Sequence, residues 1–350
     1  MPPNHPLSFL IFGAGAIGSY VGGSLALAGH KVVFLEQPEV AIVLRDRGLR
    51  LNLRGQEQII RHPQVAGTME VALALGPYEA AVFALKSFDT QSALDPLAPF
   101  VGELPPFLCL QNGVENEALL AETLGPDKVI AGTVTSAIGR RTVGDIVLER
   151  RRGLGLAGGH PLSKTLAAAL DEAGLNAYLY PSAANMKWSK LLTNLLANAS
   201  SAILDMTPAE IFTHPGLFRL EIAQMRETLQ VMAAQGIHAV NLPGTPVRLL
   251  AFAARSLPMS LARSLLQRAV GRGRGGKMPS FHIDLHGGRG RSEVEYLHGA
   301  VVRFGERLNV PTPANRLLTE RLMALASGKL PITDYAKQPE KLLSEWQAGR

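Results

Sequence analysis

The chain has 350 residues and a single cysteine, Cys109. That excludes an internal disulfide and any cysteine-clustered zinc site, and no metal site is expected. Cys109 lies in an apolar run, FLCLQNG, and reads as a buried strand thiol rather than a reactive one. Charge is sparse: 18% of residues are charged against 47% hydrophobic, so a large core can be buried and disorder is not expected. No window approaches the ~20 apolar residues of a membrane span. The start, MPPNHPLSFLIFGAGAIG, lacks the basic n-region of a signal peptide. A cytoplasmic protein with no membrane partner is therefore the expectation. The net charge of +6 is concentrated in RSLLQRAVGRGRGGK (263–277) and GGRGRSE (287–293). No aromatic residues alternate with these arginines, so the stacking platforms of a single-stranded nucleic-acid binder are missing. Nucleic acid is not expected; a solvated loop or a basic mouth facing an anionic small ligand fits better.

What is present is an alternation. SFLIF (8–12) is an apolar run of strand length. GAGAIG and an alanine- and leucine-rich segment to Gly29 follow, then KVVFLE (31–36). This is a βαβ unit. Runs at 80–85, 106–110 and 128–137 fit further strands with helices between them, which predicts a doubly wound parallel sheet. TVGDIVLER and RGLGLAG suggest a short hairpin or a sheet extension, and 164–174 a helix ended by glycine. From about 184 the pattern is helical: 184–203, 216–236, 246–270, 293–308 and 312–327. The expected fold is α/β, with an N-terminal Rossmann-type domain over 1–180 and an all-helical domain over 181–350. The Gly/Arg stretch 271–291 reads as a loop.

GAGAIG places Gly13, Gly15 and Gly18 in G-x-G-x-x-G spacing, after a strand and before a helix. Gly13 permits the tight turn. Gly15 lets backbone approach a pyrophosphate seated on the helix N-terminus, and Gly18 lets that helix pack against the strand. The cradle comprises Gly13, Ala14, Gly15, Ala16, Ile17 and Gly18. Glu36 ends the second strand, 18 residues past Gly18. A carboxylate there accepts from the ribose hydroxyls of NAD and repels a 2′-phosphate; a solvated strand-end carboxylate is the alternative. FAD uses the same loop.

In the segment KWSKLLTNLLANASSAI, Lys190, Asn194 and Asn198 recur every four residues. On one helix they share a face, about 40° apart per step, while leucines fill much of the remainder. An unpaired buried lysine or amide is costly. The row therefore suits a polar ligand cleft, or an exposed stripe.

Several motifs in order resemble the ketopantoate reductase (2-dehydropantoate 2-reductase) family. They are GAGAIG, ALKSFDT, QNGVEN, KWSKLLTNLLAN, PSFHID, SEVEYLHGAV and NVPTPAN. The likeness covers almost the whole chain. It implies a Rossmann domain, a helical domain and an active site in the cleft. It also implies hydride transfer from NADPH or NADH to the ketone of a small 2-keto acid, ketopantoate, giving pantoate for pantothenate and coenzyme A synthesis. In the resemblance Lys190 is the general acid. Glu293 holds substrate and lysine in one network, with Ser292 suited to cap its helix. Asn194, Asn198 and Ser280 bind substrate, Lys86 lies near the nicotinamide, and Asn112 contacts cofactor or substrate.

The chain departs from the family at three points. Glu36-Gln37 replace the usual arginine after strand two, which argues for NAD over NADP. Lys277 stands where an asparagine usually precedes the site serine, and can grip a carboxylate. His298 replaces a late asparagine, one extra residue separates Ser280 from Glu293, and His298 reads as a helix-surface or packing residue. A related NADH-dependent reductase of another branched or aromatic 2-keto acid is the neighbouring reading. A non-enzymatic dinucleotide sensor is the remaining one. A homodimer through the helical domain is a further expectation.

Overall fold

The computed structural model describes residues 5–259, 261–263, 278–288 and 290–349. Lys277 and residues 264–276 lie outside them. The chain divides into two compact units. The first comprises Met1–Lys187 with Leu242–Thr245, the second Trp188–Asn241 with Pro246–Arg350.

Among the described residues of the first unit, twelve strands form two sheets. They are β1 (Ser8–Phe12), β2 (Lys31–Leu35), β3 (Leu49–Leu53), β4 (Gln56–Ile60), β5 (Gln64–Ala66), β6 (Ala80–Phe83), β7 (Phe107–Cys109), β8 (Val129–Val134), β9 (Ala137–Thr142), β10 (Asp145–Arg150), β11 (Leu154–Ala157) and β12 (Ala177–Tyr180). The large sheet runs β12-β11-β8-β7-β6-β1-β2-β5, and every pairing is parallel except β8 with β11. It is the doubly wound sheet expected. Both faces of its centre are dry. Phe9, Ile11, Val32, Phe34 and Val82 face one side. Leu10, Phe12, Val33, Phe83 and Phe107 face the other. This is why the central strands read as unbroken apolar runs rather than alternations. Cys109 sits in β7, fully buried as expected. Helices α1 (Ala16–Leu27), α2 (Pro38–Arg47), α3 (Met69–Ala74), α4 (Thr90–Leu94), α5 (Asn116–Leu124) and α6 (Ser163–Glu172) lie between the strands.

The small sheet runs β4-β3-β10-β9. Of the two readings of TVGDIVLER and RGLGLAG, the sheet extension holds, and the two do not form a hairpin with each other. β10 pairs with β9 and β3, whereas β11 joins the large sheet. The β3–β4 hairpin is closed by Arg54 and Gly55, both with positive φ.

The second unit is helical: α8 (Asn198–Leu204), α9 (Pro208–Thr213), α10 (Pro215–Ala234), α11 (Val247–Ser256), α12 (Ser280–His286), α13 (Val294–Arg307), α14 (Pro313–Ala326) and α15 (Pro339–Ala348). Helix α7 (Ala183–Leu195) contains the boundary between Lys187 and Trp188. Two expected helices are interrupted. The 246–270 segment leaves the helix after Ser256, because Pro258 drives Leu257 into extended backbone, and is helical again at 259 and 261–263, while 264–270 lie outside the described residues. The 184–203 segment breaks at Leu196–Ala197, as described below. Among the described residues, no helix is long and apolar enough to cross a membrane.

Candidate active site

The first unit gathers its functional residues at the carboxyl ends of parallel strands. Gly13 follows β1 with φ +88°, a conformation only glycine takes readily, and its N–H donates to Leu35 O at 3.1 Å. A Cβ at Gly18 would lie 1.8 Å from Gly13 O, so α1 can approach β1 only with glycine there. Gly15 differs. Its φ is −68° and a Cβ would meet nothing within 4 Å. Neither backbone nor packing requires glycine at that position, and the bare backbone is left for something else to approach. The first turn of α1 carries no acidic side chain. Its N–H groups and positive dipole end suit an anionic pyrophosphate.

Glu36, just after β2, turns its carboxylate back onto this loop and accepts from the N–H of Ala14; its other oxygen accepts from Gln37 N at 3.3 Å. Burial pushes the Glu36 carboxyl above the usual carboxylate range. The two N–H groups and the charge of Arg140 oppose that shift. The carboxylate that sequence spacing assigned to a ribose is thus already at the cradle.

Lys86 follows β6, half-buried, at the start of a short turn over Ser87–Asp89. Asn112 follows β7, and Gly113 after it has φ +100°. The two loops are tied together: the Ser87 hydroxyl donates to Asn112 O at 3.0 Å, and Asn116 Nδ2 donates to the same carbonyl and to Ser87 Oγ. Glycine loop, Glu36, Lys86 and Asn112 follow the neighbouring strands β1, β2, β6 and β7, the edge where open parallel sheets bind ligands.

Lys187 was not anticipated. Its side chain is 5% exposed and its Nζ lies 2.6 Å from a carboxylate oxygen of Glu117. The ammonium also donates to Gln111 O at 2.7 Å and Gly132 O at 3.3 Å. Burial is the largest single influence and pulls its pKa down, but the charge and hydrogen bond of Glu117 together with Cys109 outweigh it, and the ammonium is held above the ordinary lysine value. This pair fixes the backbone immediately before Asn112. Glu117 lies far from Lys187 in sequence, and no local pattern joins the two.

The second unit holds the other candidates. Lys190 and Asn194, one turn apart on α7, are both half-buried, whereas Leu191, Leu192 and Leu195 beside them are fully buried. Ser189 Oγ anchors the helix by accepting from Val240 N at 2.8 Å. Asn198 does not continue the row on one helix. Ala197 adopts a left-handed backbone, φ 49°, and Asn198 opens α8. The cause lies on α10: the buried Glu221 carboxylate accepts from Ala197 N at 2.7 Å, Ser200 Oγ at 2.6 Å and Gln224 Nε2 at 2.6 Å. A non-glycine residue in this region is strained by roughly 1–2 kcal/mol, offset here by a charge-assisted hydrogen bond. Asn198 is 4% exposed. Its Nδ2 donates to Asn194 O at 3.0 Å and to Ser280 Oγ at 3.4 Å, and its Oδ1 accepts from Phe281 N at 3.1 Å. The structure therefore brings Asn194, Asn198 and Ser280 together across α7, α8 and α12. Ser280 is exposed.

Glu293 is 3% exposed and occupies the N-cap position of α13. Ser292, expected to cap, instead accepts from Val294 N at 3.2 Å, one residue earlier than a cap position. His298 is a packing residue and not a surface one. It is fully buried against Phe281, with Nε2 2.8 Å from Gln224 Oε1. Burial lowers its pKa to about 3.

A doubly wound sheet with a glycine turn after its first strand, in a chain whose second unit is helical, is the architecture of a dinucleotide-dependent oxidoreductase. The comparisons agree. The family model "Ketopantoate reductase PanE/ApbA" matches residues 9–156, and its C-terminal counterpart matches 183–326. The chain belongs to the ketopantoate reductase family, oxidoreductases acting on a CH–OH group. It is 29% identical over 322 residues to the 2-dehydropantoate 2-reductase of Halobacterium salinarum, covering 89% of this chain and 96% of that one. The Archaeoglobus fulgidus enzyme of the same name is 28% identical over 326 residues, covering 91% and 97%. In structure, the chain is similar to a PanE/ApbA family ketopantoate reductase from Ralstonia eutropha, with TM-score 0.77, 28% identity and coverage of 92% and 99%. D-mandelate dehydrogenase with NADH and anilino(oxo)acetate shares the fold, with TM-score 0.76, 22% identity and the same coverage.

Proposed function

We propose that this chain reduces a small 2-keto acid, ketopantoate, to its 2-hydroxy acid, pantoate. The single observation that carries this reading is the half-buried pair Lys190 and Asn194 on a helix whose other face is dry leucine. An ammonium retained in that setting is suited to acid catalysis. As a ketone becomes an alkoxide, it stabilises the growing charge and delivers the proton. Glu293, buried at the start of α13, orients that ammonium and the substrate hydroxyl. Asn194, Asn198 and Ser280 supply amide and hydroxyl contacts to the substrate, and Lys277 a charge for its carboxylate. The nicotinamide cofactor, when bound, supplies the hydride. Gly13 to Gly18 would hold its pyrophosphate, Glu36 its ribose, and Lys86 and Asn112 its nicotinamide end.

Glu36 supports a preference for NADH, since a carboxylate at the cradle opposes a 2′-phosphate. The D-mandelate dehydrogenase that shares the fold was solved with NADH, and it keeps a second reading in view, reduction of a bulkier 2-keto acid.

A panel of 2-keto acids assayed separately with NADH and NADPH tests the reading. Ketopantoate with NADH should give the highest kcat/KM. Lys190→Ala should lower kcat at least ~100-fold while leaving the cofactor Kd within about twofold. Parental turnover by that variant would refute the assigned role, and a better aromatic keto acid would replace the substrate.

A further inference from the structure

We propose that Asp205, His282 and His286 form a binding site for one divalent transition-metal ion of the zinc class, outside the reductase machinery. His282 and His286 stand at i and i+4 on α12, the spacing that puts two imidazoles on one helix face. Their rings stack at 4.0 Å between centroids, 20° apart. Asp205, just past α8 with a left-handed backbone, turns a carboxylate toward them, with Oδ1 2.7 Å from His282 Nε2. One donor atom from each of the three residues lies within 4.8 Å of the other two.

Two imidazoles and one carboxylate are the donor set that zinc and its neighbours prefer, and three protein ligands leave a position for water. Metal–nitrogen bonds of about 2.0–2.1 Å need donors roughly 3–3.5 Å apart. Rotation of the His286 and Asp205 side chains can close that gap, since His286 is exposed and Asp205 half-exposed, while His282, 14% exposed, stays in place. The ion would replace the Asp205–His282 hydrogen bond. Among the described residues, the ammonium acting on Asp205 is that of Lys337, itself 3.2 Å from Glu210. The consequence is a clamp. Asn198 opens α8 and Ser280 opens α12, and their side chains meet at one end of this helix pair. The ion would fasten the other end.

The test uses the full chain without a histidine tag, stripped by chelation and titrated with Co2+ as spectroscopic probe and Zn2+ by calorimetry. One ion per chain, visible d–d absorption and an apparent Kd of micromolar or below are expected. His286→Ala and Asp205→Asn should each weaken binding at least tenfold. Affinity should fall as pH is lowered, because protons compete for the ligands. Absence of saturable binding to the parent chain overturns the proposal without any variant. So does parental affinity in His286→Ala, an exposed substitution whose fold circular dichroism can verify.

Discussion

Replacing Lys187 by methionine should expose how much the first unit depends on one concealed ion pair. The ammonium contacts Glu117 at 2.6 Å and the carbonyls of Gln111 and Gly132. Methionine keeps the apolar stem and removes the charge, leaving the Glu117 carboxylate without its partner. Removing one member of a buried pair typically costs 3–5 kcal/mol. Glu117 is 19% exposed, so water relieves part of this, and about 3 kcal/mol is expected. At about 2–4 °C per kcal/mol for a unit of this size, that is a fall of about 6–12 °C in Tm. The two tryptophans, Trp188 and Trp346, both lie in the second unit. Their fluorescence follows that unit, while far-ultraviolet circular dichroism follows both, so the first unit's transition can be isolated. The sign with pH is fixed. A lysine whose folded pKa is raised contributes fully below its unfolded value, near 10.5, and loses the contribution only as pH rises through the higher folded value. The deficit should therefore be constant from pH 6 to 9. Adding Glu117→Leu should restore most of the loss, because a fully apolar pair leaves no orphaned charge. A single-variant loss under 1 kcal/mol, or a double variant less stable than the single, would refute the argument.

Glu36→Arg should move coenzyme preference toward NADPH by at least tenfold in kcat/KM, read from initial rates with both coenzymes; an unchanged ratio removes Glu36 from that role. His298 is neutral in the folded chain down to about pH 3, whereas the unfolded chain binds its proton near 6.5. Stability of the second unit should thus fall by about 1.4 kcal/mol per pH unit below 6.5. His298→Gln should flatten this slope in tryptophan-monitored denaturation. Ala197→Gly should relieve the left-handed backbone at the helix break and leave the second unit no less stable, whereas Glu221→Ala should lower its stability by about 3 kcal/mol or more, since three buried donors lose their acceptor.

The Rossmann half was legible because its signals are local. A five-residue apolar strand, a glycine turn, a helix and a second strand all lie within 8–36, each with its own chemistry. The helix break at Ala197 was not legible. Leu-Leu-Ala-Asn contains no breaker, and the cause is a glutamate on α10, 24 positions away. The β3–β4 hairpin was missed because Arg54-Gly55 is not the usual Asn-Gly pair, although both residues take positive φ. Lys187 is one turn before Lys190, and sequence alone could not tell which of the two is buried in a salt bridge. The His282–His286 pair carries its own i, i+4 spacing, but Asp205, just past α8, is far from it in sequence, and no local pattern joins the three.

The break at Ala197 means that the two candidate asparagines are not rigidly geared to one another. Had they shared a single rod, any repositioning of one would have dragged the other through the same rotation. With a joint between them, Asn194 is steered by α7 and Asn198 mainly by the contacts of α8 and α12, with its Nδ2 still donating to Asn194 O at 3.0 Å. Substitutions around Glu221, a residue assigned no chemical step, can then re-aim one amide while the lysine keeps its place. On the function proposed above, a chain built this way can acquire new keto acids by adjusting a joint and leave the proposed proton donor, Lys190, untouched.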